Sequence, residues 1–150
     1  MRMALYNLLL PLIKLTARAL AGNHRKIARS FEARRGIRKR WSGKLEGAGK
    51  GLATVWFHVS SAGEFLQARP VMDLLSDKYH ERIRIALTFY SPSGFDYYMK
   101  HDRARRNRSI FFVDYLPFDT PGDMRFCFDT LSPDVIVYTK YEIWPNLVST

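Results

Sequence analysis

Ser61-Ala62-Gly63-Glu64 opens the stretch SAGEFLQARP and offers two kinds of chemistry. In an S-x-x-E run ahead of apolar residues at helical spacing, the hydroxyl and the carboxylate satisfy unpaired N–H groups at a helix start, the capping box. The same carboxylate is also a base for a substrate hydroxyl. Gly63 leaves the backbone beside it uncovered, and a helix N-terminus favours an ionised Glu64 and can hold an anion. Spacing alone leaves both roles open.

Three further clusters carry polar groups. Ser91-Pro92-Ser93-Gly94 is a turn whose hydroxyls and N–H groups suit an anion at the next helix start, or simply a connection. Lys140-Tyr141-Glu142 followed by Ile143-Trp144-Pro145-Asn146 sets aromatics beside a charged pair, a composition that fits a sugar-binding cleft as well as a packed ion pair. His58 lies in an apolar run and reads first as a hydrogen-bonded core histidine. His24, His80 and His101 lack metal-ligand spacing, and Cys127 stands alone, so neither a disulfide within the chain nor a cysteine metal site is expected.

The elements that must position these residues follow from periodicity. TVWFHVS (54–60), RIALTFY (84–90), IFFV (110–113) and DVIVYT (134–139) are short apolar strands. Between them, FLQARPVMDLLSDKY (65–79) places Phe65, Ala68, Met72, Leu75 and Tyr79 at helical spacing. A short helix follows near FDYYMKH, and PGDMRFCFDTL (121–131) is a helix with Asp119 or Thr120 as its cap. Alternating strands and helices predict an α/β fold with a Rossmann-like parallel sheet. Such sheets bind ligands beyond the carboxyl ends of their strands, and the four polar clusters fall at those ends.

With 150 residues, 47% of them hydrophobic, the chain is long enough for one domain with a core. The formal net charge of +10 is concentrated: residues 25–50 hold ten Lys or Arg against two Glu. An anionic partner is implied, and Arg34, Arg35, Arg38, Lys39 and Arg40 are the candidate phosphate and membrane contacts. Residues 103–108, RARRNR, read as a solvated loop. Residues 1–22 are the most apolar, but Pro11, Lys14 and Arg18 interrupt them, so they read as an interfacial membrane-anchor helix ahead of a single span, a signal sequence or a plain core helix. Residues 23–51, ending in GKLEGAGKG, read as a basic membrane-proximal segment and linker, and residues 52–150 as the folded domain. Anionic lipid is favoured over nucleic acid because the basic segment adjoins a membrane-seeking helix and no base-reading module is present.

HVSSAGEFLQARP, LTFYSPSG, DYLPFDTPGD and KYEIWPNL, in this order behind an apolar N-terminus, resemble the N-terminal half of the 3-deoxy-D-manno-octulosonic acid (Kdo) transferases. The resemblance implies the N-terminal domain of a GT-B glycosyltransferase on the cytoplasmic face of the inner membrane of a Gram-negative cell. It implies a lipid A precursor as acceptor and CMP-Kdo as donor, with no metal or other cofactor. Glu64 falls on the family's general base, and direct displacement with inversion is the implied mechanism. Ser61, Gly63, Ser91, Ser93, Gly94, Lys140, Glu142 and Asn146 fall on the acceptor side. Many members have Glu-Thr-Glu where this chain has Lys140-Tyr141-Glu142. The donor-binding C-terminal domain is expected to be absent and the chain alone inactive. The alternative expectation is a non-catalytic membrane-surface module that binds anionic lipid.

Overall fold

A computed structural model describes residues 2–22, 24–47, 51–102, 107–140 and 143–150. Four strands, β1 (Ala53–Val59), β2 (Ile83–Phe89), β3 (Ile110–Tyr115) and β4 (Val135–Tyr138), form one parallel sheet in the order β3-β2-β1-β4. The chain steps outward from β1 to β3 and then returns to the other side of β1. The carboxyl ends of β1 and β4 therefore flank the switch point, where sheets of this kind open a crevice.

β1 is buried on both faces, as its near-continuous apolar sequence requires. Successive residues alternate between two cores. Val55, Phe57 and Val59 join Phe65, Ala68 and Met72 of helix α4 (Ala62–Tyr79) and Tyr98 of α5 (Pro92–His101) on one face. Trp56 joins Ala86, Phe112, Met124 and Leu131 on the other, under α6 (Pro121–Leu131) and a final turn of helix, α7 (Pro145–Ser149). Both cores rest on the sheet that carries the polar loops at its carboxyl edge.

Ahead of the sheet lie three helices, α1 (Arg2–Leu20), α2 (Arg25–Ala33) and α3 (Ile37–Leu45). Here the structure departs from the sequence reading of residues 23–51 as a linker. Ile37 and Trp41 of α3 are buried in the core beneath α6, and Trp41 meets Trp56 and Phe112 edge-on, with centroids 6.5 and 4.8 Å away. The physical cause is the i, i+4, i+8 stripe Ile37-Trp41-Leu45, which supplies an apolar face between cations. Gly36, at φ +62°, turns the chain between α2 and α3 in the left-handed region that glycine adopts without strain. Residues 48–50 of the expected linker lie outside the described residues.

α1 is long and apolar enough to cross a membrane by length and composition, and its 3–20 window is not buried in the fold. It touches the domain through polar groups: the Tyr6 hydroxyl donates to Asp119 Oδ2 at 2.9 Å, and Asn7 Oδ1 accepts from Asn146 Nδ2 at 2.8 Å. Leu5, Leu8, Leu12 and Leu15 point outward, Leu8 with 71% of its surface exposed.

Candidate site at the carboxyl ends of the strands

The turn after β1 enters α4 through the capping box that its spacing predicts. Ser61, in extended backbone, accepts from the Glu64 N–H at 3.4 Å, while Glu64 Oε2 accepts from the N–H groups of Ser60 at 2.5 Å and Ser61 at 3.2 Å. Only one carboxylate oxygen is engaged: among the described residues Oε1 accepts no hydrogen bond. Glu64 is half-buried and Gly63 exposed, with only the Ser61 hydroxyl near the space a Cβ would take. An anchored carboxylate with one free oxygen, beside an open backbone, can both hold the helix start and receive a proton from an approaching hydroxyl.

Gly94 locks the second cluster against the first. A Cβ there would stand 2.8 Å from Phe89 Cδ1 and 3.0 Å from the Ser61 carbonyl carbon, so α5 closes on the Ser61 turn only because residue 94 has no side chain. Ser91 N–H donates to Ser60 O at 2.9 Å, which joins the two turns through the backbone. The Ser91 hydroxyl caps α5 by accepting from Ser93 N–H and lies 2.9 Å from the Ser93 hydroxyl. Ser61, Gly63, Glu64, Ser91, Ser93 and Gly94 thus come together on adjacent loops.

Other candidates have different placements. Asn146 is buried: its Nδ2 donates to Asp119 O and Asn7 Oδ1, and its N–H to Asp119 Oδ2. It holds α1 and α7 to the β3–α6 loop, a structural duty in place of the expected acceptor contact. Lys140 is exposed at the end of β4 in the left-handed region, φ +58°. Tyr141 and Glu142 lie outside the described residues.

The basic segment divides into internal braces and outward cations. Arg34 is buried. It donates from Nε to Leu116 O and from its terminal nitrogens to Tyr90 O, Ser30 O and Ser30 Oγ, and its guanidinium lies over the Tyr90 ring at 4.6 Å. Burial lowers its pKa to about 10, which still leaves it charged near neutrality. Arg40 pairs with Asp114, joined there by Lys44. Burial pushes the Asp114 carboxyl up, but its bonds to Arg40, Lys44 and the Tyr115 N–H outweigh this and hold it below the usual carboxylate range. Arg38 pairs with Asp123 on the surface, Arg35 loosely with Glu32, and Lys39 is exposed. Arg34 and Arg40 are therefore corrected from candidate phosphate contacts to framework cations: Arg34 is buried, where a charge without a partner costs several kcal/mol, and is spent on carbonyls, while the partly exposed Arg40 is spent on Asp114.

Two features had no signal in the sequence, and a third, the core histidine, did. Asp119 caps α7 from a distant loop, its Oδ1 accepting from Leu147 N–H at 2.8 Å. Tyr90 and Trp144 stack at 4.5 Å beside the carboxyl ends of the strands. Beneath the site, the Trp56 indole N–H donates to the Thr88 hydroxyl, which lies 3.0 Å from Nδ1 of the buried His58. Burial depresses the His58 pKa to about 3, consistent with a neutral core histidine.

Fold and polar loops together define a parallel α/β domain that gathers its serine turns and Glu64 at the carboxyl ends of β1 and β2. Residues 29–150 match the N-terminal glycosyltransferase family described as 3-deoxy-D-manno-octulosonic-acid transferase (kdotransferase), and the chain belongs to that family. The chain is similar to the 3-deoxy-D-manno-octulosonic acid transferase of Haemophilus influenzae, 28% identical over 94 residues, or 63% of this chain and 21% of that protein. It is also similar to that of Aquifex aeolicus, 27% identical over 96 residues, or 63% of this chain and 24% of that protein. The matched part thus spans about a fifth to a quarter of the length of these curated relatives.

Proposed function

We propose that this chain forms the acceptor-binding part of an inverting GT-B Kdo transferase, which moves Kdo from CMP-Kdo to a lipid A precursor. The observation that carries the reading is Glu64: one carboxylate oxygen fixed by two backbone N–H groups, the other without a bonded donor, beside the exposed Gly63 at the crevice end of β1. Glu64 Oε1 takes the proton of the acceptor's hydroxyl as that oxygen forms a bond to the anomeric carbon of Kdo. The bond from that carbon to the phosphate oxygen breaks, and CMP leaves with the electron pair. Ser61, Gly63, Ser91, Ser93 and Gly94 shape the acceptor side, Lys140 adds a cation at the neighbouring strand end, and Glu142 completes it. Donor binding is assigned to residues outside the matched region, with no metal or other cofactor.

α1 is the interfacial foot of this enzyme at the cytoplasmic face of the inner membrane, its outward leucines in the lipid and Lys14, Arg18, Lys26 and Lys39 near anionic headgroups. A non-catalytic lipid-binding module would use α1 and these cations equally well, but it would leave the free oxygen of Glu64 without a use. The test is transfer in vesicles containing lipid A precursor and CMP-Kdo. Equal amounts of CMP and Kdo-lipid, with the anomeric configuration inverted by NMR, are expected. Retained configuration, or vesicle binding with no transfer by the transferase that carries this domain, overturns the reading.

A further inference from the structure

Between α1, α2 and the loops after β2 and β3 lies an open cavity of about 470 Å³, within the range of small-ligand pockets. Leu10, Ile13, Ile27, Phe31, Phe118 and Trp144 supply most of its wall. Its few charged groups are of one effective sign. Asp119 is consumed by Tyr6, Asn146 and Leu147, whereas Lys14 and Lys26 make no ion pair among the described residues. Ser91 and Pro92, at the start of α5 and beside the Ser61 turn, belong to the same wall.

We propose that this cavity holds one acyl chain of the anionic lipid acceptor, with Lys14 and Lys26 at its phosphate-bearing headgroup. The inference rests on the transferase reading above and adds a subsite to it. Three observations select this occupant. The wall combines an apolar surface that suits a chain with two cations, Lys14 and Lys26, that suit a phosphate. The pocket shares α1 with the outward leucine face, so a lipid drawn from a bilayer meets it without crossing water. Its wall includes Ser91, whose N–H bonds Ser60 O in the turn that carries Glu64, so a chain seated here keeps its sugar near the base.

The experiment uses a lipid A precursor bearing a photoactivatable diazirine at the end of one acyl chain, in phosphatidylcholine vesicles, with labelled residues mapped by mass spectrometry. Label is expected on Ala17, Ile27 or Phe31. Filling the cavity by Ala17→Trp should lower that label about tenfold, the scale of a misfit in an apolar pocket, while vesicle flotation stays as in the parent. Ile27→Phe provides a second filling should Ala17→Trp fail to fold. Label confined to Leu5, Leu8 and Leu12, or unchanged by either filling, overturns the proposal. Labelling does not depend on turnover: in the transferase that carries this domain, supplied with CMP-Kdo, a probe that labels the pocket without receiving Kdo sinks the transferase reading alone, and transfer without pocket label sinks the subsite alone.

Discussion

On the proposed reading Glu64 carries two duties, the observed cap of α4 and the proposed base, that substitutions separate. In Glu64→Gln the side-chain carbonyl still accepts from Ser60 and Ser61 N–H, since Gln serves a capping box as well as Glu. What is lost for stability is the negative charge at the α4 N-terminus, about 0.3–1 kcal/mol, plus the extra strength of charge-assisted bonds, for a total of about 1–2 kcal/mol. What is lost for chemistry is the base, worth about 10²–10⁴ in kcat. Ser61→Ala does the reverse. It removes the acceptor for Glu64 N–H, costing about 0.5–2 kcal/mol, and leaves the carboxylate on its two backbone donors. The two variants should therefore match in urea unfolding and differ by at least about a hundredfold in the initial rate of Kdo transfer. Glu64→Ala, which strands two half-buried N–H groups, should combine the rate loss with about 1–3 kcal/mol of destabilisation. A Glu64→Gln enzyme within about threefold of the parent rate would leave Glu64 as a cap only, since a lost general base costs far more. Equal rate losses in Ser61→Ala and Glu64→Gln would mean that turn geometry, not proton transfer, sets the rate.

The other predictions concern the frame. Trp41→Ala should cost about 3–5 kcal/mol in denaturant unfolding; Trp41→Phe should cost less, because the buried indole N–H has no partner among the described residues to lose. Gly94→Ala should destabilise by about 1–3 kcal/mol in thermal melts, since the new Cβ meets Ser61 backbone that cannot swing aside. His58 is held neutral, its pKa depressed from 6.5 to about 3, so its contribution is fully present above pH 6.5 and is lost as pH falls toward 3, at about 1.4 kcal/mol per unit. Urea midpoints across that range should slope accordingly, and His58→Gln should flatten the slope. Lys39→Gln should weaken binding to anionic vesicles by about 1 kcal/mol at low salt and less at high salt. Arg34→Met should instead appear as lost stability.

The sheet was legible because each strand is a short apolar run between turn residues and each following helix keeps a 3.6-residue stripe. The capping box was legible because it is local: Ser61 and Glu64 lie within one turn, and Thr120 caps α6 in the same way, accepting from Asp123 N–H. What the sequence concealed is tertiary. Arg34 looks like its neighbour Arg35, yet one reaches Leu116 O across 82 positions and the other stays on the surface. Asp119 is adjacent to a helix start that Thr120 already caps, and nothing local reveals that it caps α7 instead. Nine-residue helices rich in cations, such as α3, hide their apolar stripe because charge dominates the composition and the stripe holds only three residues.

These long-range bonds change what the N-terminal helices are for. Asp119 receives Tyr6 from α1 and Asn146 and Leu147 from α7, and Arg34, just after α2, bonds the carbonyls that follow β2 and β3. Tyr90 lies between Arg34 on one side and Trp144 on the other. Helix α1 and the loops that follow β2 and β3 are therefore braced through polar groups that are buried or half-buried, each costly to unpair. A flexible tether would let the acceptor's hydroxyl wander relative to the base. On the proposed reading of α1 as an interfacial foot, the depth at which it rests in the bilayer fixes the height of the crevice above the headgroups. Membrane attachment then becomes part of substrate positioning, which is where an enzyme acting on an embedded acceptor gains effective concentration at its base.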